Sequence, residues 1–357
     1  MANPYEMKPD SCFWRRSISG HSAYDIDPVI STPFTIYPSD FIATAGSCFA
    51  QHIARTLRTR GMNYLVTEKE PQTPGAIYEN YEVFPARFAN IYTVRQLLQL
   101  FRRAYGLFEP VDRVWRDPRG RYLDPFRPRI QAAGFASPEE VEADREAHLR
   151  AVRAMFETCD VLIFTLGLTE GWVSTVDGAV FPVPPGVVTE DVPDTGYAFH
   201  NFTVAEMKAD LLAFIHALRR INPGVRLILT VSPVALVATY EDRHVLVSNT
   251  YSKAALRVTA EEVSREVPDC AYFPSYEIIT SAAAGNGFLE EDLREVRPEG
   301  VAHVMSIFQR HFIDGEAGAH PPPRPAAAAA GVAGMADRIR AAQRLICEEE
   351  LLERRGA

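Results

Sequence analysis

The stretch that decides the fold is Asp-Phe-Ile-Ala-Thr-Ala-Gly-Ser-Cys-Phe-Ala-Gln-His-Ile, residues 40–53. Residues 40–46 form a short, nearly all-apolar run that ends in glycine, which is typical of a strand buried on both faces of a parallel sheet. Residues 48–61 continue with apolar residues at helical spacing. These apolar residues are Phe49, Ile53 and Leu57. We therefore predict a strand followed at once by a helix, with Gly46-Ser47-Cys48 at the junction.

The same alternation of strands and helices continues along the chain. The further runs that we predict to be core strands are residues 160–167, 225–232 and 270–273. The predicted helices are residues 92–105, 138–158, 203–221, 249–267 and 298–312. Residues 173–183 have the pattern of a hairpin that turns at Asp177-Gly178. This order predicts an α/β fold in which helices cover both faces of a parallel sheet.

We expect one catalytic domain over residues 38–315, preceded by an irregular lead-in over residues 1–37. A Pro- and Ala-rich run at residues 316–333 indicates a linker, and residues 334–357 form a charged C-terminal helix in this interpretation. Residues 106–136 and 171–200 are long excursions that we expect to cover the site.

Composition excludes several classes of protein. The net charge of -9 makes the chain a poor ligand for nucleic acid or anionic membrane, because phosphates require clustered Lys and Arg. The 5 cysteines are scattered and never spaced as CxxC, which argues against a zinc site and a disulfide framework. The N-terminus has no apolar signal region, and no run is long enough to span a membrane. We expect a cytoplasmic protein.

Polar or Gly-containing motifs follow the first three predicted core strands. They are Gly46-Ser47-Cys48, Gly167-Leu168-Thr169-Glu170 and Ser232-Pro233. Ligands of open parallel sheets collect at the carboxyl ends of the strands. A nucleophile at such an end also begins a helix, where backbone N–H groups and the helix dipole favour a thiolate and an oxyanion. Cys48 has this position, and Ser47 is the alternative nucleophile. The simplest alternative is that Cys48 is a small buried apolar residue.

Several segments in this order resemble the GSCFA family, over roughly residues 35–313. The first is Ala45-Gly46-Ser47-Cys48-Phe49-Ala50, which contains the family's signature. The others are Ala89-Asn90-Ile91-Tyr92-Thr93, Thr165-Leu166-Gly167-Leu168-Thr169-Glu170, Phe199-His200-Asn201-Phe202-Thr203, Ser232-Pro233-Val234, and Asn249 with Ser252-Lys253. The family is similar to SGNH/GDSL-type hydrolases, which implies a flavodoxin-like three-layer α/β/α sheet and ester chemistry.

The resemblance also implies roles for individual residues. In register with the SGNH nucleophile block, Cys48 takes the nucleophile's place, and a slip of one residue gives Ser47. Asn90 falls where an oxyanion donor is expected. The block Gly167 to Glu170 has Thr169 where those enzymes have an oxyanion-binding Asn. We place His200 and Asn249 near the substrate, although capping is the default role for Asn249 and His200 also suits a structural cap.

The acid–base block departs from the SGNH pattern. Its expected Asp-x-x-His corresponds to Asp292-Leu293-Arg294-Glu295, with Glu295 in the histidine's position. A carboxylate of ordinary pKa is a weak base for a hydroxyl group. We therefore consider His244 the best replacement base, oriented by Asp242, against the alternative of a surface histidine in a charged loop.

These expectations lead to two functional hypotheses. The first is an SGNH-like esterase or O-acyltransferase that acts on an acylated carbohydrate or a similar ester through a covalent acyl-enzyme. It needs no metal or other cofactor, and acyl-CoA or an acyl carrier protein are candidate donors. The second is a member that binds a glycan or acyl carrier without chemistry, as the lost histidine suggests.

Overall fold

The structure is a computed structural model that describes residues 3–70, 79–189, 196–313 and 348–353. Its strands are β1 (Ile42–Gly46), β2 (Trp115–Arg116), β3 (Tyr122–Leu123), β4 (Val161–Leu166), β5 (Glu170–Ser174), β6 (Val180–Phe181), β7 (Tyr197–Asn201), β8 (Arg226–Val231) and β9 (Cys270–Phe273). Its α-helices are α1 (Trp14–Ser17), α2 (Cys48–Thr59), α3 (Val94–Ala104), α4 (Pro138–Thr158), α5 (Val204–Ile221), α6 (Val245–Glu266), α7 (Ser275–Thr280) and α8 (Pro298–Phe312). Residues Glu348–Glu353 form a short 3-10 helix.

The central sheet has four parallel strands in the order β1-β4-β8-β9. A parallel bridge between Ile42 and Tyr64 adds one more position beside β1, on the edge away from β4. With this bridge counted as a reduced strand, the spatial order is the flavodoxin-like 2-1-3-4-5. The strand order therefore reverses between β1 and β4, and Gly46, at the carboxyl end of β1, lies at this switch point. The predicted α/β fold is confirmed.

Helices cover both faces of this sheet because its strands are apolar on both sides. Ala43 and Ala45 of β1 face the layer that contains α3, α4, α5 and α6. Ile42 of the same strand faces the layer of α2, α7 and α8. In β4, Leu162 and Val161 divide between the two layers in the same way. The alternation that a strand imposes on its side chains thus produces the three-layer α/β/α arrangement.

The structure adds details that the sequence pattern missed. Strand β7 joins β5 and β6 in a small antiparallel sheet of order β6-β5-β7. Residues 106–136, predicted as an extended excursion, contain the β2–β3 hairpin. Helix α6 begins four residues before the predicted start because His244 caps it. No helix in the described part of the chain is both long and apolar enough to cross a bilayer.

The regions at the two ends of the predicted domain differ in how far the structure describes them. The lead-in contains α1, and Ile36 near its end bridges Ile313 after α8. The predicted linker, residues 316–333, lies outside the described residues. Of the predicted C-terminal helix, residues 334–357, only residues 348–353 are described.

Candidate active site

The junction of β1 and α2 brings two strand ends unusually close together. Gly46 has φ +138°, and a Cβ atom on it would lie 2.3 Å from the carbonyl oxygen of Thr165 in β4. The next amide, of Ser47, donates to that same oxygen at 3.3 Å. A Cβ atom on Gly167 would lie 2.8 Å from Cβ of Ser47. Glycine is therefore required at both strand ends, because a side chain at either one would push the strands apart.

Cys48 and Ser47 have different environments at this junction. Cys48 is the first residue of α2, so its thiol lies at the positive end of the helix dipole. It is buried in a small apolar cluster with Tyr92, Leu168 and Leu236. The Ser47 hydroxyl is buried between the strand ends and has no hydrogen-bond partner within the described residues. Of the two predicted nucleophiles, Cys48 packs among apolar side chains, whereas Ser47 packs against Gly167 at the end of β4.

The loop before α3 contributes a second wall. The amide of Ile91 donates to the carbonyl of Gly46 at 2.8 Å, which fixes the loop to the end of β1. Gln51 of α2 donates to Oδ1 of Asn90 at 3.1 Å. This contact leaves the NH2 group of Asn90 to make other contacts, and its Nδ2 donates to Oε2 of Glu348 at 2.5 Å. The position predicted for an oxyanion donor is thus held by a buried amide with a defined orientation.

Lys253 of α6 supplies a buried cation. Its Nζ donates to the carbonyl of Gly167 at 2.9 Å, and its side chain is almost completely buried. Burial lowers the pKa of Lys253 from 10.5 to about 8; Arg294 also lowers it, whereas Glu349 and Cys48 raise it. Because Gly167 packs against Ser47, this contact places the amine beside the start of α2. In the sequence, Lys253 stands out only as part of a segment that resembles the GSCFA family.

The block that follows β4 shapes the site through its backbone and through one carboxylate. Thr169 is buried, and its amide donates to Oγ of Ser252 at 3.2 Å. The Glu170 carboxylate accepts from Oγ1 of Thr239 at 2.7 Å and from the amide of Tyr240 at 3.1 Å. Glu170 therefore fixes the loop after β8, and a role for Thr169 at an oxyanion stays a prediction.

Asn249 supports the same loop from α6. Its Oδ1 accepts from the amide of Leu236 at 3.1 Å. Leu236 is the residue of this loop that packs in the cluster with Cys48. Asn249 therefore positions the wall of the site, whereas its predicted contact with substrate stays a prediction.

The two predicted histidines make hydrogen bonds to other partners. His244 is exposed, and its Nδ1 accepts from the amide of Leu246 at 3.1 Å, so it acts as the N-cap of α6. His200 lies on β7, where its Nε2 pairs with Glu206 at 2.8 Å. Asp242, the proposed orienting residue of His244, is exposed in the loop before α6. These contacts give no support to either histidine as the base, and both roles stay predictions.

The Asp292–Glu295 segment presents a different residue from the predicted pair. Oδ1 of Asp292 accepts from the amides of Arg294 and Glu295 at 2.9 and 3.0 Å, so this carboxylate stabilises its own turn. Asp292 and Glu295 are exposed. Arg294 instead reaches inward: its Nε donates to the carbonyl of Ala235 at 3.0 Å, and it pairs with Glu349 at 3.2 Å. Acid and base roles for Asp292 and Glu295 stay predictions.

The groups at this centre suit reactions in which negative charge develops on oxygen. A thiol at a helix start, an oriented amide and a buried lysine surround the carboxyl ends of β1 and β4. Nucleophile, donor and proton acceptor are the components of acyl transfer. Across residues 3–70, 79–189, 196–313 and 348–353, no three His, Cys, Asp or Glu side chains are grouped as metal ligands would be.

Comparison with known proteins agrees with the ordered segments of the sequence. No curated protein matches the chain. The sequence model of the GSCFA family matches residues 41–308, which include Cys48, Asn90 and Lys253. This match extends over most of the chain, from β1 into α8. The chain therefore belongs to the GSCFA family.

Proposed function

We propose that this chain is an esterase or O-acyltransferase that carries an acyl group on Cys48. The observation that supports the proposal best is the juxtaposition of this thiol with Lys253 at the end of the sheet. The helix dipole and the lysine cation both favour negative charge on Sγ. A lysine pKa of about 8 keeps a useful fraction of neutral amine near neutral pH, as a general base requires.

The first half-reaction transfers the acyl group to sulfur. The neutral amine of Lys253 takes the thiol proton, and Sγ of Cys48 attacks the ester carbonyl carbon. The new C–S bond places the negative charge on the carbonyl oxygen, where Nδ2 of Asn90 and the amides in the first turn of α2 donate. The C–O bond then breaks, and the leaving alkoxide takes the proton from the Lys253 ammonium.

The second half-reaction returns the enzyme to its starting state. Water or a hydroxyl of an acceptor gives a proton to Lys253 and attacks the thioester carbon. The C–S bond breaks, and the thiolate regains its proton from the lysine. Water gives an esterase and a sugar hydroxyl gives a transferase. A carbohydrate ester is the substrate class that the resemblance to SGNH-type sequences favours. Where acyl-CoA or an acyl carrier protein is the donor, the first half-reaction breaks the donor's C–S bond instead, and the donor's thiolate takes the proton from the Lys253 ammonium.

Covalent labelling with an activated ester tests this proposal. We expect p-nitrophenyl acetate to acylate Cys48 of the intact protein, as located by peptide mass mapping. Cys48→Ala should abolish the adduct, and Ser47→Ala should retain it. Cys270→Ala is the matched control, since burial raises the pKa of the Cys270 thiol to about 12 and makes it unreactive. Full turnover by Cys48→Ala and by Ser47→Ala would refute an acyl-enzyme at either residue.

The labelling experiment also decides between the two hypotheses. A member that only binds a glycan or acyl carrier forms no adduct with the activated ester at any pH between 6 and 9. Release of acetate into water, or its transfer to an added sugar, then distinguishes esterase from transferase.

A further inference from the structure

The C-terminal 3-10 helix places a glutamate against the candidate site. Oε2 of Glu348 accepts from Nδ2 of Asn90 at 2.5 Å and from the hydroxyl of Tyr92 at 2.8 Å. The amide of Glu348 donates to the same hydroxyl at 3.0 Å. The Glu348 side chain is completely buried. One carboxylate oxygen is thus held by two convergent donors, which is the arrangement that stabilises an oxyanion.

These donors belong to the neighbourhood of Cys48. Tyr92 packs in the same apolar cluster as Cys48. Asn90 is oriented by Gln51, which lies on the helix that Cys48 begins. The Glu348 carboxylate therefore occupies the side of the site where the oxygen of a bound ester or acid would lie.

The adjacent glutamate strengthens the attachment. Glu349 pairs with Arg294 at 3.2 Å, and both side chains are largely buried. Glu349 also acts electrostatically on Lys253, as Cys48 does. Glu348 thus accepts from two neutral donors, and Glu349 lies near two cations, Arg294 and Lys253. This environment favours an acidic segment over an apolar one.

The two carboxylate oxygens of Glu348 differ in their contacts within the described part of the chain. Its Oε1 is buried without a hydrogen-bond partner among the described residues. Burial accordingly raises the pKa of Glu348. A carboxylate with one unsatisfied oxygen carries a desolvation cost, so a ligand that satisfies both oxygens competes with it.

We propose that Asn90 and Tyr92 form an anion pocket for one charged oxygen, and that the chain's own Glu348–Glu349 segment fills it as a product-like inhibitor. The catalytic role of this pocket rests on the proposed function. In that function, Tyr92 is a second oxyanion donor beside Asn90. Carboxylic acids and acidic peptides are the ligands of this pocket. The segment has to leave before an ester can approach Cys48.

Alkylation of Cys48 tests the occupied state without any need for turnover. We expect iodoacetamide to modify Cys48 of Glu348→Ala about ten-fold to a hundred-fold faster than in the unmodified chain, because charge-assisted hydrogen bonds that hold the segment are lost. Glu348→Gln, which keeps an acceptor oxygen without the charge, should give a smaller increase. Glu146→Ala, at an exposed acid of α4, is the matched control and should leave the rate unchanged. Equal rates in the unmodified chain, Glu348→Ala and Glu348→Gln would overturn the proposal.

A charged reagent tests the pocket itself. Iodoacetate differs from iodoacetamide by its carboxylate, so the vacated pocket of Glu348→Ala should raise the iodoacetate rate more than the iodoacetamide rate. Replacement of Tyr92 by Phe in the Glu348→Ala background should remove this preference. A preference that persists without the Tyr92 hydroxyl would overturn the assignment of the pocket.

Addition of the segment as a separate molecule completes the test. The capped peptide Glu-Glu-Glu-Leu-Leu-Glu, which has the sequence of residues 348–353, should slow alkylation of Glu348→Ala. The same peptide with Gln at its first two positions should not. Protection by both peptides, or by neither, would overturn the proposal. If the ester-labelling experiment fails while these results hold, the pocket stands and the catalytic function does not.

Discussion

Replacement of Lys253 by methionine separates the cost of this residue to the fold from its contribution to the chemistry. Burial lowers the pKa of Lys253 from 10.5 to about 8. Since each pKa unit corresponds to about 1.36 kcal/mol, the buried ammonium costs the folded state roughly 3 kcal/mol at neutral pH. Methionine has a similar length and no charge, but it loses the hydrogen bond to Gly167, which is worth about 1 kcal/mol. We expect Lys253→Met to be more stable than the unmodified chain by about 2 kcal/mol at pH 7.

The pH dependence gives this prediction its sign. The unfolded chain keeps the Lys253 proton up to about pH 10.5, whereas the folded chain loses it near pH 8. The folded state therefore holds fewer protons between these values, and the stability of the unmodified chain rises across this window. The advantage of Lys253→Met is constant below pH 8, shrinks as the pH rises from 8, and reverses before pH 10.5, where only the lost hydrogen bond to Gly167 remains.

Two assays on the same protein samples test the reasoning. Urea unfolding at pH 7 and pH 10 measures the stability difference, and acylation of Cys48 by p-nitrophenyl acetate measures the chemistry. We expect acylation to fall about 100-fold or more, the usual contribution of a general base. Lys8→Met, at an exposed lysine, should change neither quantity. The reasoning is wrong if Lys253→Met is equally destabilised at both pH values, or if it acylates at the unmodified rate.

Three further predictions concern the scaffold of the site. Gly46→Ala should lower the free energy of unfolding by about 3 kcal/mol or more, because its Cβ overlaps a backbone oxygen of β4. A Cβ on Gly224 meets nothing within 4 Å, so chemical denaturation of Gly224→Ala should give a free energy of unfolding within about 1 kcal/mol of the unmodified chain. Burial lowers the pKa of His52 from 6.5 to about 4, so the stability that neutral His52 contributes above pH 6.5 is lost as the pH falls. Between pH 7 and pH 4, the free energy of unfolding of His52→Gln should fall by about 2 to 3 kcal/mol less than that of the unmodified chain. The same fall in both proteins would contradict this prediction. Arg127→Met breaks a buried ion-pair network with Asp124 and Asp144 and should lower the free energy of unfolding by about 3 to 5 kcal/mol. Arg119→Met, at an exposed arginine, should change it little. Similar melting temperatures for the two variants would count against a stabilising role for the network.

The fold followed from the sequence because its core elements carry strong local signals. The apolar run ending at Gly46 became β1, and the helical spacing after Cys48 became α2. Strand β9 and helix α8 have the predicted bounds. Strand β7 was missed because Tyr197–Asn201 pairs with β5 at the edge of a small sheet, where partly exposed residues lack a clear apolar alternation.

The candidate site groups residues that local sequence signals mark and residues that they do not. A strand end beside a glycine marks Cys48, but a lysine within a helix normally indicates a solvated surface, and only the packing of α6 on the sheet buries Lys253. The sequence pattern drew attention to the carboxylates of the Asp292 segment, whereas in the structure Asp292 accepts from backbone amides of its own turn and Arg294 reaches inward. Glu348 is 258 positions from Asn90, and no local pattern connects them.

The three-layer architecture has a consequence for partly folded states. Cys48 comes from a helix on one face of the sheet, and Lys253 comes from a helix on the opposite face. Asn90 and Tyr92 come from a loop fixed to the strand ends between them. A compact acid form that keeps its helices but loosens its side-chain packing would separate these groups, while its far-ultraviolet circular dichroism would change little. Selective alkylation at Cys48 would then report the stacking of the layers, independently of the helical content of the chain.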